Sequence, residues 1–423
     1  MKEDLLHFLW SQKLIYTHKL MTSAKEKLEI INIGTCNKGA GPDFLNAKIL
    51  FNDQLWIGNV EMHLKSSDWY VHQHEFDQNY DAVILHVVWE HDVDVYMKNE
   101  KPLPTLILKD FVKPTVMSNY TKLMYKNTNW IFCEKQLHRM DPFLLSNWIE
   151  RLYFERLERK TIFIQELLSL TNNDYEAVLF CLIAKAFGTK VNGDSFLKLA
   201  KSFPYGVLRK LRFNQTQLSA LLFGQAGFLG EELDEAYFRK LKKEYAYIKH
   251  KFQLKSLEKK EFQFFRMRPA NFPTIRIAQL VALIVKYPDL FSRIINAKEL
   301  SIFYELFSVK VDEFWREHYT FQTSSKKSNK FTSKSFINLL VINVIIPMKF
   351  VFMKNSGGYD YEGFLTILKE VKAEKNGIIS KFSELKLVSK NALDSQALIQ
   401  LKTNYCDKAK CLDCAIGGYL LKE

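Results

Sequence analysis

Three things are scarce in this sequence, and each scarcity excludes something. Long apolar runs are scarce: only the stretch from Phe336 to Met353 approaches membrane length. Asn338, Asn343, Pro347 and Lys349 interrupt it, so a buried segment is expected rather than a span. Cysteine is scarce: there are six in 423 residues, three of them crowded near the C-terminus, which does not suit a disulfide set. Arginine is absent from the first 112 residues. The opening MKEDLLHFLW also lacks the basic start and apolar core of a secretory signal. A cytoplasmic protein without a membrane partner is expected. No internal repeat is visible.

What is present is unevenly spread. Residues 1–112 carry eleven lysines against sixteen acids, a net −5, while the rest carries 49 bases against 31 acids, a net +18. Seven of the ten histidines (7, 18, 63, 72, 74, 86 and 91) fall in the same first 112 residues. An acidic, histidine-rich front on a basic body suits a metal site joined to a surface for a polyanion.

The chain is organised around Gly41 to Glu90. Phe44 to Phe51 and Leu55 to Met62 read as two strands around the turn signal Asn52-Asp53-Gln54. A three-residue loop sets Phe51 opposite Leu55 and Asp43 opposite His63, with Glu61 one pair away on the diagonal. Strand alternation puts Glu61, His63 and Lys65 on one face. Two carboxylates at that reach can hold a hard divalent cation. The competing reading is the wet face of an ordinary hairpin.

Around the hairpin, the spacing of Leu5, Phe8, Leu9 and Trp10 predicts a helix over Asp4 to Met21, and LEIINI (Leu28 to Ile33) predicts a strand. A helix is expected near Val71 to Tyr80, a buried strand over Ala82 to Trp89, and a further strand over Leu103 to Leu108. The order is helix, three strands, helix, strand. With Pro42-Asp43 before the second strand and Glu61-Met62-His63 ending the third, it resembles the PD-(D/E)XK nuclease superfamily over about residues 1–110. The resemblance implies that Asp43 and Glu61 hold catalytic magnesium or manganese. It also implies a lysine two residues past the Glu; this chain has His63 there, with Lys65 one step further along the face. Either His63 acts as the base or Lys65 reaches in. A helix-borne acid, Glu3 or Asp4, is a further implied site residue. GPDF, GNVEMH, SDWYVHQH, VILHVVWEHD and RPANFP also resemble an uncharacterised bacterial family of unknown function. His72 and His74 can both ligate a metal if their segment is extended, but not if it is helical. Asp68, Asp77 and His86 are further candidates, His86 being expected as a buried, hydrogen-bonded residue.

The fold class expected is α+β: a nuclease-like α-β-β-β-α-β core over 1–112, then a large helical region. A connector spans 113–140, a helical domain 141–322, a basic linker 323–335, and a helical C-terminal segment 336–423. Arg266, Arg268 and Arg276 surround two prolines and can fork onto phosphates of DNA or RNA, the alternative being pairing with acids such as Glu261. Cys406, Cys411 and Cys414 lie at C-x4-C-x2-C, with Lys408 and Lys410 to ease deprotonation. Metal ligation is expected, with Cys133 as the fourth ligand and His138 as its alternative. Some nucleases of the resembled class place one upstream and three C-terminal cysteines on an iron–sulfur cluster. An iron–sulfur cluster or zinc is therefore implied; Cys36 and Cys181 are read as incidental.

Three functional expectations follow. The first is a metal-dependent nuclease acting on DNA or RNA. The second is a non-catalytic nucleic-acid-binding or assembly module with a degenerate nuclease-like front. The third is a zinc hydrolase built on His72 and His74.

Overall fold

The computed structural model describes residues 2–124, 129–358 and 361–423, and the chain divides into two compact units. The first comprises 1–148 and 401–423; the second comprises 149–400. This corrects the expected boundaries. The connector belongs to the front unit, because its helix packs on the C-terminal helix, Ala415–Lys422. The helices of 336–400 belong with the second unit.

The front unit is α+β. Helix α1 (Glu3–Ser11) is followed by β1 (Leu20–Met21), β2 (Lys27–Asn32), β3 (Thr35–Cys36), β4 (Phe44–Phe51) and β5 (Gln54–Lys65). A short helix α2 (Asp68–Val71) leads to β6 (Val83–Glu90) and β7 (Thr105–Ile107). The sheet order is β1-β2-β4-β5-β6-β7, with β3 beside β4. Strands β1, β2, β4 and β5 pair antiparallel, whereas β6 runs parallel to β5 and β7 parallel to β6. The expected long first helix stops at Ser11, and Lys13 turns the chain with φ +50°. Leu5, Leu6, Leu9 and Trp10 are buried, and α1 packs on β5.

The β4–β5 register differs from the expectation twice. Phe51 pairs with Gln54, so the loop has two residues, Asn52 and Asp53, both at positive φ (46° and 68°). Such a turn matches strand twist, and Asn and Asp tolerate its backbone. A bulge between Phe44 and Ala47 then shifts the pairing again, leaving Phe44 opposite Val60. Asp43 therefore reaches Glu61, not His63. Either shift alone would have set it opposite Met62, on the other face; together they return it to the face of Glu61.

The second unit is helical, with long elements at Tyr175–Phe187, Thr189–Lys201, Ala236–Phe252 and Pro273–Lys286. Asp174 caps the first, its Oδ1 accepting from Ala177 N–H at 3.0 Å. Lys334–Asn355 forms a 22-residue apolar helical run that is 67% buried across its most apolar window, with a π-turn at Val341–Ile345. The basic stretch 323–335 is no linker. Lys330 ties it inside this unit, donating to Trp315 O (2.5 Å), His318 O (2.8 Å) and Ser325 Oγ (2.8 Å).

Candidate metal centre

The crossover between β5 and β6 folds a row of histidines over the sheet. Helix α2 ends at Val71, His72 follows in αR geometry, and Gln73 turns left-handed (φ 59°, ψ 34°) before a 3-10 turn at His74–Phe76. The segment is neither extended nor one continuous helix. The left-handed Gln73 brings His74 back beside His72, with ring centroids 5.3 Å apart. Tyr80 stacks on His74 at 3.8 Å, and Trp69 lies edge-on to it, so the imidazole is clamped.

Glu61 and His63 come up from β5 beneath them, both buried. His63 Nε2 lies 3.1 Å from His72 Nδ1 and 3.6 Å from Glu61 Oε1. His74 Nε2 lies 3.4 Å from the same oxygen. The donor atoms of His63, His72 and His74 all fall within 4.8 Å of one another. A tetrahedral ion with bonds of about 2.0–2.1 Å separates its ligands by roughly 3.3–3.4 Å, so these spacings suit one ion. His74 Nε2 is buried and faces Glu61 without hydrogen-bond alignment, as a lone pair aimed at a cation would. Behind this set, His63 Nδ1 and His86 Nε2 hydrogen-bond at 2.8 Å. His86 is fully buried, as its apolar run suggested. Such an outer partner fixes which nitrogen of His63 is left to bind.

Asp43 anchors the edge of the site. Its backbone N–H donates to Glu61 Oε2 (3.1 Å), and its Oδ2 accepts from Met62 N–H (3.0 Å). The same Oδ2 lies 3.1 Å from His7 Nε2 on α1. Asp43 and Glu61 are thus neighbours on one face, but Glu61 is the carboxylate that meets the imidazoles. His7 lacked any motif around it; only its helical spacing of four from Glu3 could have marked it. Burial and then the Asp43 charge push the Glu3 carboxyl up, while the charges of His72 and His7 oppose this.

The electrostatics describe a site short of positive charge. Burial pushes the Glu61 carboxyl up, the adjacent His74 opposes this, and the Asp43 charge adds to it. Burial and then the charges of His74 and His72 drive His63 down to about 3, so it is a neutral imidazole. Burial also lowers His86 well below its ordinary value. His7 moves up: its burial opposes protonation, but the hydrogen bond and charge of Asp43 outweigh that. Among the described residues, the ion-pair partners of Asp43 and Glu61 are histidines only.

The remaining expected residues separate. His63 is buried, with Nδ1 against His86 and Nε2 against His72. Lys65 is exposed at the strand end, where its backbone N–H donates to Asp68 Oδ2 (3.0 Å). Asp77 caps the 3-10 turn at Gln78–Tyr80, away from the donor set. Arg276 is buried, its guanidinium 4.0 Å from the Phe336 ring centroid and bonded to Asn271 (2.7 Å) and Gln279 (3.0 Å). It packs the second unit and does not front solvent; Arg266 and Arg268 are exposed. Cys133, Cys406, Cys411 and Cys414 line one cavity in the front unit, while His138 lies outside it. Cys36 is exposed and Cys181 is buried in the second unit.

Residues 3–377 match the model of a family described as protein of unknown function (DUF2851), and the chain belongs to that family. No curated protein and no solved structure matches the chain.

Proposed function

We propose that this DUF2851 chain is a metal-dependent phosphodiesterase acting on DNA or RNA, with Glu61, His63, His72 and His74 as its metal ligands. The observation that carries the reading is the convergence of the His63, His72 and His74 nitrogens within 4.8 Å of one another, with Glu61 Oε1 3.6 Å from His63 and 3.4 Å from His74. Three imidazoles favour manganese or zinc over magnesium, which prefers oxygen ligands. When bound, the ion supplies Lewis acidity and lowers the pKa of water. The chain's own groups do the rest. His63, held by His86, and His74, clamped by Tyr80, present fixed lone pairs. Asp43 orients Glu61 through its N–H, and His7 holds a proton at Nε2 against Asp43 Oδ2, placed to pass it to a leaving oxygen.

The nucleic-acid substrate rests on three supports. One is the likeness of the sequence pattern, Pro42-Asp43 just before β4 and Glu61 on the neighbouring β5, to the PD-(D/E)XK nucleases. Another is the net +18 carried beyond residue 112. The third is the exposed pair Arg266 and Arg268, next to exposed Phe265. Labelled DNA and RNA incubated with manganese or zinc are expected to be cut by the wild type. Glu61→Gln and His74→Ala should abolish cleavage while leaving salt-sensitive binding in place. Metal-dependent cutting that survives both substitutions would sink the proposal.

One observation favours a second reading. Where the nuclease pattern has lysine, His63 is buried and engaged, and Lys65 faces solvent. A binding or assembly module would show nucleic-acid affinity and metal occupancy without turnover under any divalent ion.

A further inference from the structure

Four cysteines from opposite ends of the front unit meet at a second place. Cys133 follows the connector helix; Cys406, Cys411 and Cys414 come from the C-terminal segment. All four are free thiols lining one cavity, whose other walls include Leu123, Ile131, Phe132 and Ile416. The local backbone is shaped around them. Cys406 closes a π-turn, Lys402–Cys406, a rare geometry that recurs at functional sites. Cys411 and Cys414 are joined by a tight turn in which Cys414 N–H donates to Cys411 O at 3.3 Å. A Cβ on Gly417 would fall 2.0 Å from that same carbonyl, so only glycine lets the last helix close on the turn. The backbone N–H groups of Ile416 and Gly417 point at Cys414, and the Trp148 indole faces it. Such donors suit a sulfur that carries negative charge, as a metal-bound thiolate does.

We propose that Cys133, Cys406, Cys411 and Cys414 ligate an iron–sulfur cluster that fastens the C-terminal segment to the connector. The arrangement separates a cluster from a single zinc ion. Zinc draws four sulfurs to bonds of about 2.3 Å, which places them roughly 3.8 Å apart. Among the described residues, the set of three or more donors close enough to share one ion is His63, His72 and His74. The four cysteines line one cavity walled by aliphatic and aromatic side chains, and a sulfur-lined apolar pocket suits inorganic sulfide and iron. Loading releases the thiol protons as iron–thiolate bonds form.

The test is iron and acid-labile sulfide content, with visible absorbance, of the full chain purified without oxygen. The wild type should be brown and carry iron and sulfide in equal amounts. Cys133→Ser and Cys414→Ser should lose both, and Cys36→Ser should keep both. Glu61→Gln and His74→Ala should also retain iron and sulfide, which keeps this outcome separate from that of the histidine centre. Should the cysteine variants fail to fold, the wild-type analysis still decides. A colourless wild type without sulfide, whether it carries zinc or no metal, overturns the proposal.

Discussion

His63 stands where the nuclease resemblance expects lysine, and its surroundings determine what it can do. A lysine there would extend a charge towards water; His63 instead points both nitrogens at other side chains, with 1% of its surface exposed. Neutral at working pH, it is suited to the proposed ligation, and the hydrogen bond to His86 at Nδ1 leaves Nε2 as the nitrogen for it. The consequence can be measured at His86, which touches no ion itself. His86→Phe keeps an aromatic of similar bulk in the apolar strand but removes the hydrogen bond to His63 Nδ1. Loss of such an outer partner weakens metal affinity by about 10–100-fold. Calorimetric titration with zinc or manganese should show that loss, with His91→Ala, an exposed-side histidine paired to Asp94, near wild type. Equal affinities for wild type and His86→Phe would remove His86 from the centre.

Among the elements, the crossover from β5 to β6 is the one on which the site depends, and a single backbone geometry sets it. Gln73 adopts φ 59° without being glycine, a conformation that costs most side chains about 1–2 kcal/mol. A β-branched residue suffers more, and glycine suffers none. Gln73→Gly should therefore preserve or slightly tighten metal binding. Gln73→Ile should swing His74 off Glu61 and loosen binding, read in the same titration. This turn also marks how far the sequence was legible. The strands at Lys27–Asn32 and Val83–Glu90 announced themselves by apolar periodicity, and Glu61 and His63 by their shared parity on one strand. Asp43 was placed on the correct face by a register wrong by two residues, because the I′ turn and the bulge offset each other in parity. Neither is decided by local pattern: Asn-Asp fits several turn types, and Asn46, at φ 58° in the bulge, carries no signal of its own. His7, and the turn that joins the candidate pair His72 and His74, were hidden for a related reason. They meet Glu61 and Asp43 through tertiary packing and one left-handed residue, which periodicity does not encode.

At the scale of the whole molecule, the proposed centres and the tryptophans are unevenly divided, and this gives the two units separable signals. Both proposed centres lie in the unit formed by 1–148 and 401–423. Six of the seven tryptophans (10, 56, 69, 89, 130 and 148) also lie there, and Trp315 alone lies in 149–400. Tryptophan fluorescence thus follows the unit with the proposed centres, whereas far-ultraviolet circular dichroism follows chiefly the long helices of the other. A ligand that binds only the folded state adds about 2.7 kcal/mol at a hundredfold excess over its dissociation constant. For a unit of this size that is worth roughly 5–10 °C in melting midpoint. Chelation with EDTA, which strips the histidine centre, is expected to lower the fluorescence midpoint by that amount. The ellipticity midpoint should move much less, so that two transitions coincident in the loaded protein separate, or already separate ones draw further apart. If both probes shift together by the same amount, the units unfold as one cooperative body. If neither shifts, no chelatable ion holds the histidine centre, and the proposed phosphodiesterase chemistry fails with it.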